Sequence, residues 1–257
     1  MALIVLSLLS LIALSQARFL ETFIDPRIVN GEDAELGEIP YQVSLQTSYS
    51  DFHFCGGSVL NEKYVITASH CVVDKSANDI KVVAGTVDLN NPRSTHEVEE
   101  IITHESYNPS DSWRNDIALL RVKNPFVISE YISKVPLPSE DDEVGANDVA
   151  IVSGWGRLWE NGPTTNKLQK AAIFIADQDY CKNKYGNMGY NVHTTQVCAY
   201  DPTTSRGSCH GDSGGPLTVG GKLTGLVSWA NGCASTSYPT VYTRVKQFLD
   251  WIKNHAV

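Results

Sequence analysis

The stretch Gly211-Asp212-Ser213-Gly214-Gly215-Pro216 decides how the rest of the chain is interpreted. Glycines on both sides of Ser213 permit a tight turn that leaves the serine hydroxyl accessible. In such a turn the N–H groups of Gly211 and Ser213 can converge on one point, where they would stabilise a developing oxyanion. Glycine-rich turns that contain serine are common, however, so this stretch alone is weak evidence for a nucleophile.

Two other segments supply the partners that a serine nucleophile needs, which are a base and a carboxylate that orients it. The segment Thr67–Cys71 places His70 beside a cysteine, and the segment Asn115–Leu120 places Asp116 before an apolar run. Taken singly, these residues are explained by a core histidine, a surface carboxylate and a turn serine. All three in matching contexts, in the order His, Asp, Ser, indicate nucleophilic catalysis.

The rest of the chain has the pattern of an all-β protein. Short apolar runs recur between Gly, Pro, Asn and Asp residues, for example Tyr41–Leu45, Lys81–Ala84 and Val149–Val152. The only persuasive helical periodicity is a C-terminal stripe with spacings of three and four: Val245, Phe248, Leu249, Ile252 and Ala256. Because closure removes exposed strand edges, we expect paired barrels or sandwiches, followed by one helix that packs on the core.

With these segments in place, the chain resembles the serine proteases of the chymotrypsin family from Ile28 to the C-terminus. Further segments carry the same resemblance: Ile28–Gly31, Cys55–Ser58, Ser153–Gly156, Ser228–Trp229 and Val241–Val245. The resemblance implies an all-β fold of two six-stranded antiparallel β-barrels packed at right angles, with a C-terminal α-helix. In its pocket residues the chain is most similar to chymotrypsin-like and elastase-like invertebrate enzymes.

The N-terminus is typical of a secreted protein. Residues 1–17 are apolar and end in a small-x-small pattern at Ser15 and Ala17, which predicts a cleavable signal peptide. The apolar run is shorter than the roughly 20 residues that span a bilayer, so a membrane anchor is disfavoured. We therefore expect an extracellular protein that has no membrane association once the signal is removed.

The remaining sequence divides into a propeptide and a peptidase domain. Residues 18–27 are expected to be an activation propeptide, and residues 28–257 the peptidase. Within the peptidase, the N-terminal barrel is expected over about 28–134, and the C-terminal barrel and helix over about 135–257. The net charge of −9 argues against nucleic acid and anionic membrane surfaces as partners.

The resemblance assigns a role to each catalytic candidate. Ser213 is expected to be the nucleophile that forms an acyl-enzyme, and His70 the general base and then the general acid. Asp116 is expected to fix the tautomer of His70. The N–H groups of Gly211 and Ser213 are expected to form the oxyanion hole.

The resemblance also implies activation by proteolysis. A trypsin-like protease would cut after Arg27, and the new ammonium group of Ile28 would pair with Asp212 beside the nucleophile. A buried carboxylate without such a partner is costly, so the precursor should have an incomplete oxyanion hole.

Six cysteines can form three disulfides in 15 ways, and their spacing does not choose among them. The resemblance implies the pairs Cys55–Cys71, Cys181–Cys198 and Cys209–Cys233. No metal or cofactor is expected. The seven histidines are dispersed, and the stretch that begins Thr86-Val87-Asp88 lacks the glutamate that opens the calcium loop of trypsins.

The substrate pocket is expected to be uncharged. By resemblance its base is Gly207, where trypsin-like enzymes carry aspartate, so cleavage after Lys or Arg is disfavoured. The other expected substrate-binding residues are Ser208, His210, Ser228, Trp229, Ala230 and Thr240. Ala230 and Thr240 stand where chymotrypsins usually have glycine, which favours small or medium apolar residues on the acyl side. Cleavage after Phe or Tyr is the rival interpretation, because Gly207 leaves space.

We therefore expect a secreted, monomeric serine endopeptidase that is made as a zymogen and acts in digestion. Its partners would be protein or peptide substrates, a trypsin-like activating protease and protein protease inhibitors. The alternative is a catalytically inactive homologue that serves as a binding or regulatory module. The intact His70, Asp116 and Ser213 favour the enzyme.

Overall fold

Residues 28–257 are described by the computed structural model, and their regular structure begins with the two-residue strand β1 (Glu32–Asp33). The predicted signal peptide and propeptide, residues 1–17 and 18–27, lie outside the described residues.

The next six strands close into an antiparallel barrel. These strands are β2 (Gln42–Thr47), β3 (His53–Val59), β4 (Tyr64–Thr67), β5 (Ile80–Ala84), β6 (Ser94–Thr103) and β7 (Ala118–Val122). They pair in the order β2-β3-β4-β7-β6-β5, and β5 returns to β2. The predicted runs at 41–45 and 81–84 correspond to β2 and β5. Closure leaves no free edge in this sheet, as the sequence pattern predicts.

A second antiparallel barrel follows. Its strands are β8 (Val149–Gly154), β9 (Gln169–Ile175), β10 (Gln196–Tyr200), β11 (Pro216–Val219), β12 (Lys222–Trp229) and β13 (Thr240–Arg244). They pair in the order β9-β10-β13-β12-β11-β8, and β8 closes the ring by pairing with β9. β1 adds to the outside of β9, with Glu32 opposite Lys170. The segment that begins at residue 28 therefore joins the second barrel before the chain builds the first.

Each barrel encloses an apolar core. The first contains Val43, Leu45 and Leu120, and the second contains Val152 and Leu217, all fully buried. Along β9 the buried residues fall at every second position, which is the pattern of a strand with one face in a core. Strand periodicity thus accounts for both barrels.

A third apolar cluster lies between the barrels and includes the C-terminal helical segment. Val245–Phe248 form one 3₁₀ turn, and Leu249–His255 form an α-helix. Within the predicted stripe, Val245, Phe248 and Ile252 are buried, whereas Leu249 and Ala256 are partly exposed. The buried members belong to the same cluster as Ile66 of β4 and Leu226 of β12. The C-terminal segment therefore contributes to the contact between the barrels.

The structure also has a helix that the sequence analysis did not predict. Helix α1 spans Gln178–Gly186, and the C-terminal helix is α2. The side chain of Asp177 caps α1 by accepting a hydrogen bond from the N–H of Tyr180 at 2.7 Å. Only Cys181 and Tyr185 are buried, so the apolar stripe is too short to reveal the helix. No helix within residues 28–257 is long and apolar enough to span a membrane.

Three disulfides cross-link the described chain. They link Cys55 to Cys71, Cys181 to Cys198 and Cys209 to Cys233, and no cysteine in residues 28–257 is free. These are the pairs that the family resemblance implies. They close loops with sequence separations of 16, 17 and 24 residues, which restricts the unfolded chain.

Replacing Phe248 with alanine should lower the free energy of unfolding by about 3–5 kcal/mol, because the ring fills the space between the barrels. Gln247→Ala, at the exposed neighbouring position, should change it by less than about 0.5 kcal/mol. Denaturant unfolding of both variants measures the difference. A loss as small for Phe248→Ala as for the control would show that the C-terminal segment does not stabilise the contact between the barrels.

Candidate active site

His70 and Asp116 are brought together by the pairing of β4 with β7. Thr67, the last residue of β4, lies opposite Ala118, the first residue of β7. His70 follows Thr67 in a 3₁₀ turn, and Asp116 precedes Ala118, so both reach the same end of the strand pair. His70 donates to Asp116 twice, from its backbone N–H to Oδ1 at 2.9 Å and from Nδ1 to Oδ2 at 2.7 Å.

Two residues of the second barrel complete the surroundings of Asp116, which is only 1% exposed. The hydroxyl of Ser228 donates to Oδ2 at 2.6 Å, and the hydroxyl of Thr243 donates to the backbone carbonyl of Asp116 at 2.7 Å. Sequence reasoning placed Ser228 in the substrate pocket and did not foresee its contact with the carboxylate. The segment Ser228–Trp229 carries part of the resemblance to the family, but nothing in the sequence indicates a contact between Ser228 and Asp116, which are 112 positions apart.

The charge of Asp116 controls the protonation of His70. Burial by itself lowers the pKa of His70, but the negative charge of Asp116 and its hydrogen bond outweigh burial, so the pKa is raised above 6.5. Because a carboxylate only accepts, Nδ1 carries the proton and the neutral ring has its lone pair on Nε2. The nearest sulfur to Nε2, at 3.8 Å, is Cys71 Sγ, which is in a disulfide and has no proton to donate.

Ser213 lies in a turn that packs against the segment leading to His70. Gly56 donates its N–H to the carbonyl of Ser213 at 2.8 Å. A Cβ added at Gly214 would collide with Thr67 Oγ1 and lie 3.0 Å from the N atom of Ala68, so only glycine permits this approach. Within residues 28–257 no hydrogen bond joins Ser213 to His70. The backbone, and not a side-chain hydrogen bond, therefore holds Ser213 in place.

The peptide groups around Ser213 are oriented by their carbonyls. The carbonyl of His210 accepts a hydrogen bond from the N–H of Arg157 at 2.8 Å, and the carbonyl of Asp212 accepts one from Gly215 at 2.9 Å. In a planar trans peptide the N–H points opposite to the carbonyl, so the N–H groups of Gly211 and Ser213 point away from these partners. Neither N–H has an acceptor within the described chain.

A buried histidine supports this turn from behind. His53 Nε2 contacts the carbonyl of Gly211 at 2.9 Å, and its Nδ1 contacts the hydroxyl of Ser44 at 2.8 Å. Because a carbonyl only accepts, Nε2 is the protonated nitrogen and Ser44 donates to Nδ1. Burial lowers the pKa of His53 to about 4, even though the hydrogen bond to Gly211 acts in the opposite direction. His53 is therefore a neutral support for the Gly211 peptide.

Asp212 is completely buried directly before Ser213. It accepts hydrogen bonds from the N–H groups of Cys209 and Gly156, both at 2.8 Å. Burial raises the pKa of Asp212 to about 7, although these two hydrogen bonds lower it. A Cβ at Gly156 would lie 2.6 Å from the carboxyl carbon, and one at Gly154 would collide with Oδ1. Glycine at both positions makes room for the carboxylate.

The first residues of the described chain pack against residues 205–207. Ile28 is fully buried in the core of the second barrel. The carbonyl of Val29 accepts from the N–H of Gly207 at 3.2 Å, and the side-chain amide of Asn30 donates to the carbonyl of Ser205 at 2.5 Å. Residues 28–30 thus lie along the segment that precedes the Ser213 turn.

A cleft of about 220 Å³ opens beside Ser213. The expected pocket residues that line it are Ser208, His210, Ser228, Trp229, Ala230 and Thr240. Gly207 does not line the cleft, although it was expected at the base. It is buried, and the nearest atoms to an added Cβ, those of Ala234, lie at 3.8 Å. Its neighbour Ser208 lines the cleft instead.

Trp113 also lines the cleft, although no sequence motif indicates this role. Its ring stacks on Trp229 with 5.8 Å between centroids. Trp113 and Ser112 have positive φ values of 53° and 52°, which non-glycine residues rarely adopt. Gln196 donates to the Ser112 carbonyl at 2.8 Å and so helps to hold this loop.

The described residues offer one cluster that resembles a metal site, but its chemistry does not fit a metal. Cys55, His70 and Cys71 lie together, yet the two cysteines share a disulfide and provide no thiolate. Asp88, in the stretch compared with a calcium loop, instead pairs with the ammonium of Lys167 at 2.9 Å.

Comparisons with known proteins agree with this geometry. The family model described as Trypsin matches residues 28–252. Chymotrypsin-2 of Vespa crabro is 41% identical over 228 residues, which cover 89% of this chain and 99% of that protein. Trypsin-1 of Astacus astacus is 38% identical over 242 residues, which cover 90% and 100%. A trypsin of Simulium vittatum is 40% identical over 223 residues, which cover 85% and 89%.

We expect His70 and His53 to depart from the usual histidine pKa of 6.5 in opposite directions. The protonated form of His70 should persist to a pH above 6.5, because its pKa is raised. His53 should stay neutral down to about pH 4. Since the unfolded chain protonates His53 near pH 6.5, His53 stabilises the fold above that pH and loses this contribution as the pH falls to about 4. NMR titration of ¹⁵N-labelled histidines tests this, with His53→Gln to assign the signal. A His53 resonance that titrates near pH 6.5 would contradict the buried neutral state.

Proposed function

This chain belongs to the trypsin family of chymotrypsin-like serine endopeptidases, and on that premise we propose that Ser213, His70 and Asp116 are its catalytic residues. The observation that carries the proposal is the hydrogen bond of 2.7 Å between His70 Nδ1 and the buried Asp116. It leaves the lone pair of His70 Nε2 free to accept the proton of a nucleophile, and Ser213 lies in the adjoining turn. The complete set argues against an inactive homologue.

The proposed reaction proceeds in two stages. Ser213 Oγ attacks the carbonyl carbon of the substrate while His70 Nε2 takes the hydroxyl proton. The C–N bond then breaks, His70 gives this proton to the leaving amine, and an acyl-enzyme remains on Ser213. Water attacks the ester with His70 again as the base, which releases the acid and restores Ser213. The missing hydrogen bond between Ser213 and His70 would form on substrate binding, when catalytic contacts tighten.

The proposed oxyanion hole consists of the N–H groups of Gly211 and Ser213. Support comes from the carbonyl contacts that orient these peptides and leave both donors without partners in residues 28–257. Preorganised donors stabilise the developing charge without reorganising during the reaction. Asp116, held by Ser228, would keep His70 in the required tautomer and stabilise the imidazolium that forms.

We further propose that the enzyme is a secreted zymogen, with a signal peptide at residues 1–17 and a propeptide at 18–27. A trypsin-like protease would cut after Arg27 and create an ammonium group at Ile28. The high pKa of Asp212, about 7, supports this step, because a carboxylate buried without an opposite charge gains most from an ammonium partner. The relatives named trypsin and chymotrypsin are compatible with a digestive role, and protein inhibitors would be expected to bind the same cleft.

The proposed specificity is for small or medium apolar residues on the acyl side of the cut bond. The cleft beside Ser213 contains no charged side chain among its lining residues, which disfavours Lys and Arg. Ala230 and Thr240 both line it, and each side chain takes space that a large aromatic residue would need. Cleavage after Phe or Tyr is the second candidate, because Gly207 brings no side chain toward the cleft.

Activation and the nucleophile can be tested in one experiment. Trypsin treatment of the purified precursor should release a chain that begins Ile-Val-Asn-Gly, and this chain should react with a fluorophosphonate probe at Ser213. Arg27→Gln should block both results. Ser213→Ala should still be cut after Arg27 but should lose labelling and lower kcat by about 10⁴-fold or more, the order of magnitude that loss of a triad residue has in serine proteases of unrelated folds. Turnover at the wild-type rate in Ser213→Ala would refute the assignment.

Widening the pocket should change its specificity. Thr240→Gly removes a side chain from the cleft wall, so kcat/KM for Phe relative to Val on the acyl side should rise about tenfold. Thr194→Gly, an exposed threonine outside the cleft, serves as the matched control and should leave the ratio unchanged. Paired peptide substrates that differ only at this residue measure the ratio. If Thr240→Gly leaves it unchanged, Thr240 does not determine the pocket's size.

A further inference from the structure

Three asparagines in the described residues are followed directly by glycine. The pairs are Asn30-Gly31, Asn161-Gly162 and Asn231-Gly232. Asparagine in such a pair readily loses its side-chain amide, because glycine has no Cβ to hinder an attack by its own backbone nitrogen on the side chain. The reaction requires a glycine N–H that is not already bound to an acceptor.

The three glycine N–H groups differ in this respect. Gly31 donates to the carbonyl of Ile28 at 2.6 Å, and Gly162 donates to the carbonyl of Trp159 at 2.9 Å. The N–H of Gly232 has no acceptor among residues 28–257. Of the three nitrogens, only that of Gly232 is therefore free to react.

The side chain of Asn231 is also accessible to attack. Asn231 is exposed, and its amide makes one weak contact within residues 28–257, from Nδ2 to Met188 Sδ at 3.9 Å. Its backbone N–H donates to the hydroxyl of Tyr185 at 3.2 Å, which leaves the side chain unrestrained. The amide of Asn30, by contrast, is held by the carbonyl of Ser205 at 2.5 Å.

A carboxylate lies beside the free N–H. An oxygen of Glu160 would lie 3.2 Å from a Cβ added at Gly232, so the carboxylate is next to the backbone of this glycine. Glu160 is exposed and forms no ion pair with any of residues 28–257. A carboxylate in this position can take the proton of the N–H while the nitrogen attacks.

We propose that Asn231 is a site of spontaneous deamidation, with water as the co-reactant. The nitrogen of Gly232 gives its proton to Glu160 and forms a bond to Cγ of Asn231. The bond from Cγ to the side-chain nitrogen then breaks, Glu160 passes the proton to this nitrogen, and ammonia leaves. Water opens the resulting five-membered imide ring, which leaves aspartate or isoaspartate at position 231.

The modification changes the wall of the specificity cleft. Ala230 and Gly232 both line the cleft, and residue 231 joins them. Aspartate adds a negative charge beside a cleft whose lining residues include no carboxylate, and isoaspartate lengthens the backbone between Ala230 and Gly232 by one methylene. Deamidation therefore limits the time for which the cleft keeps its original shape. This consequence for activity rests on the proposed function, whereas the chemistry at Asn231 does not.

The chemistry is tested on the Ser213→Ala chain after trypsin treatment, because this variant should not digest itself. During incubation at mildly alkaline pH, peptide mapping by mass spectrometry should show amide loss at Asn231 about tenfold faster than at Asn30 or Asn161. In denaturant, where no glycine N–H is held by the fold, the three rates should become similar. Equal rates in the folded chain would overturn the proposal, as would a faster reaction at Asn161.

A second variant tests the base. Glu160→Gln keeps the size of the side chain and removes the carboxylate, so the rate at Asn231 should fall about tenfold. Glu140→Gln is the matched control, because Glu140 is an exposed carboxylate that does not line the cleft, and it should leave the rate unchanged. The same rate in both variants would overturn the role of Glu160.

The consequence for the cleft is tested with the active chain. The activated wild-type chain should lose kcat/KM per intact molecule in proportion to the modified fraction, with mass spectrometry used to correct for self-digestion. Asn231→Gln should keep its own initial kcat/KM, because glutamine would have to form a six-membered ring. Modification without loss of activity would overturn the link between residue 231 and the cleft. Absent turnover by the fresh wild-type chain would instead refute the proposed function, and the mass measurement would not be affected.

Discussion

The buried carboxylate of Asp116 is the constraint on which the rest of the site depends. A charge that is 1% exposed is tolerated only when donors surround it, and here they come from both barrels. His70 belongs to the first barrel and Ser228 to the second, and each donates a hydrogen bond to Oδ2 of Asp116. The two barrels must therefore meet in one register before the carboxylate is satisfied, and the same register sets the position of the imidazole.

Asp212 is also a buried carboxylate, but its surroundings stabilise its charge less well. Two backbone N–H groups hold it in a space that Gly154 and Gly156 leave open, yet burial keeps its pKa at about 7. Hydrogen bonds from His70 and Ser228 thus stabilise the carboxylate of Asp116, whereas ionisation of Asp212 remains costly, as its raised pKa indicates. The site therefore contains one buried carboxylate that side chains of both barrels stabilise and one that backbone N–H groups hold.

The strands could be predicted from local signals, whereas the two six-stranded barrels and the contact between His70 and Asp116 could be predicted from the family resemblance. Turn residues and short apolar runs indicate the strands. The segments Thr67–Cys71 and Asn115–Leu120, which flank β4 and β7, identify His70 and Asp116. Three features could not be predicted. The bond from Ser228 to Asp116 spans 112 positions, helix α1 buries only two residues, and Trp113 reaches the cleft through a left-handed backbone conformation. Each depends on tertiary packing that has no periodic trace in sequence.

The pairing of β1 with β9 has a consequence for the integrity of the molecule. Residues 28–33 pair and pack with the second barrel. The chain then forms the first barrel, and only after that the strands of the second. A single cut in the connection between the barrels, residues 123–148, would consequently yield two fragments that remain associated. The nicked particle would still be held by sheet pairing at one end and by the apolar contact that includes Ile66 and Phe248 at the other. Because these contacts are non-covalent and lie on both sides of the connection, the protein would keep its fold after one cut in this part of the backbone.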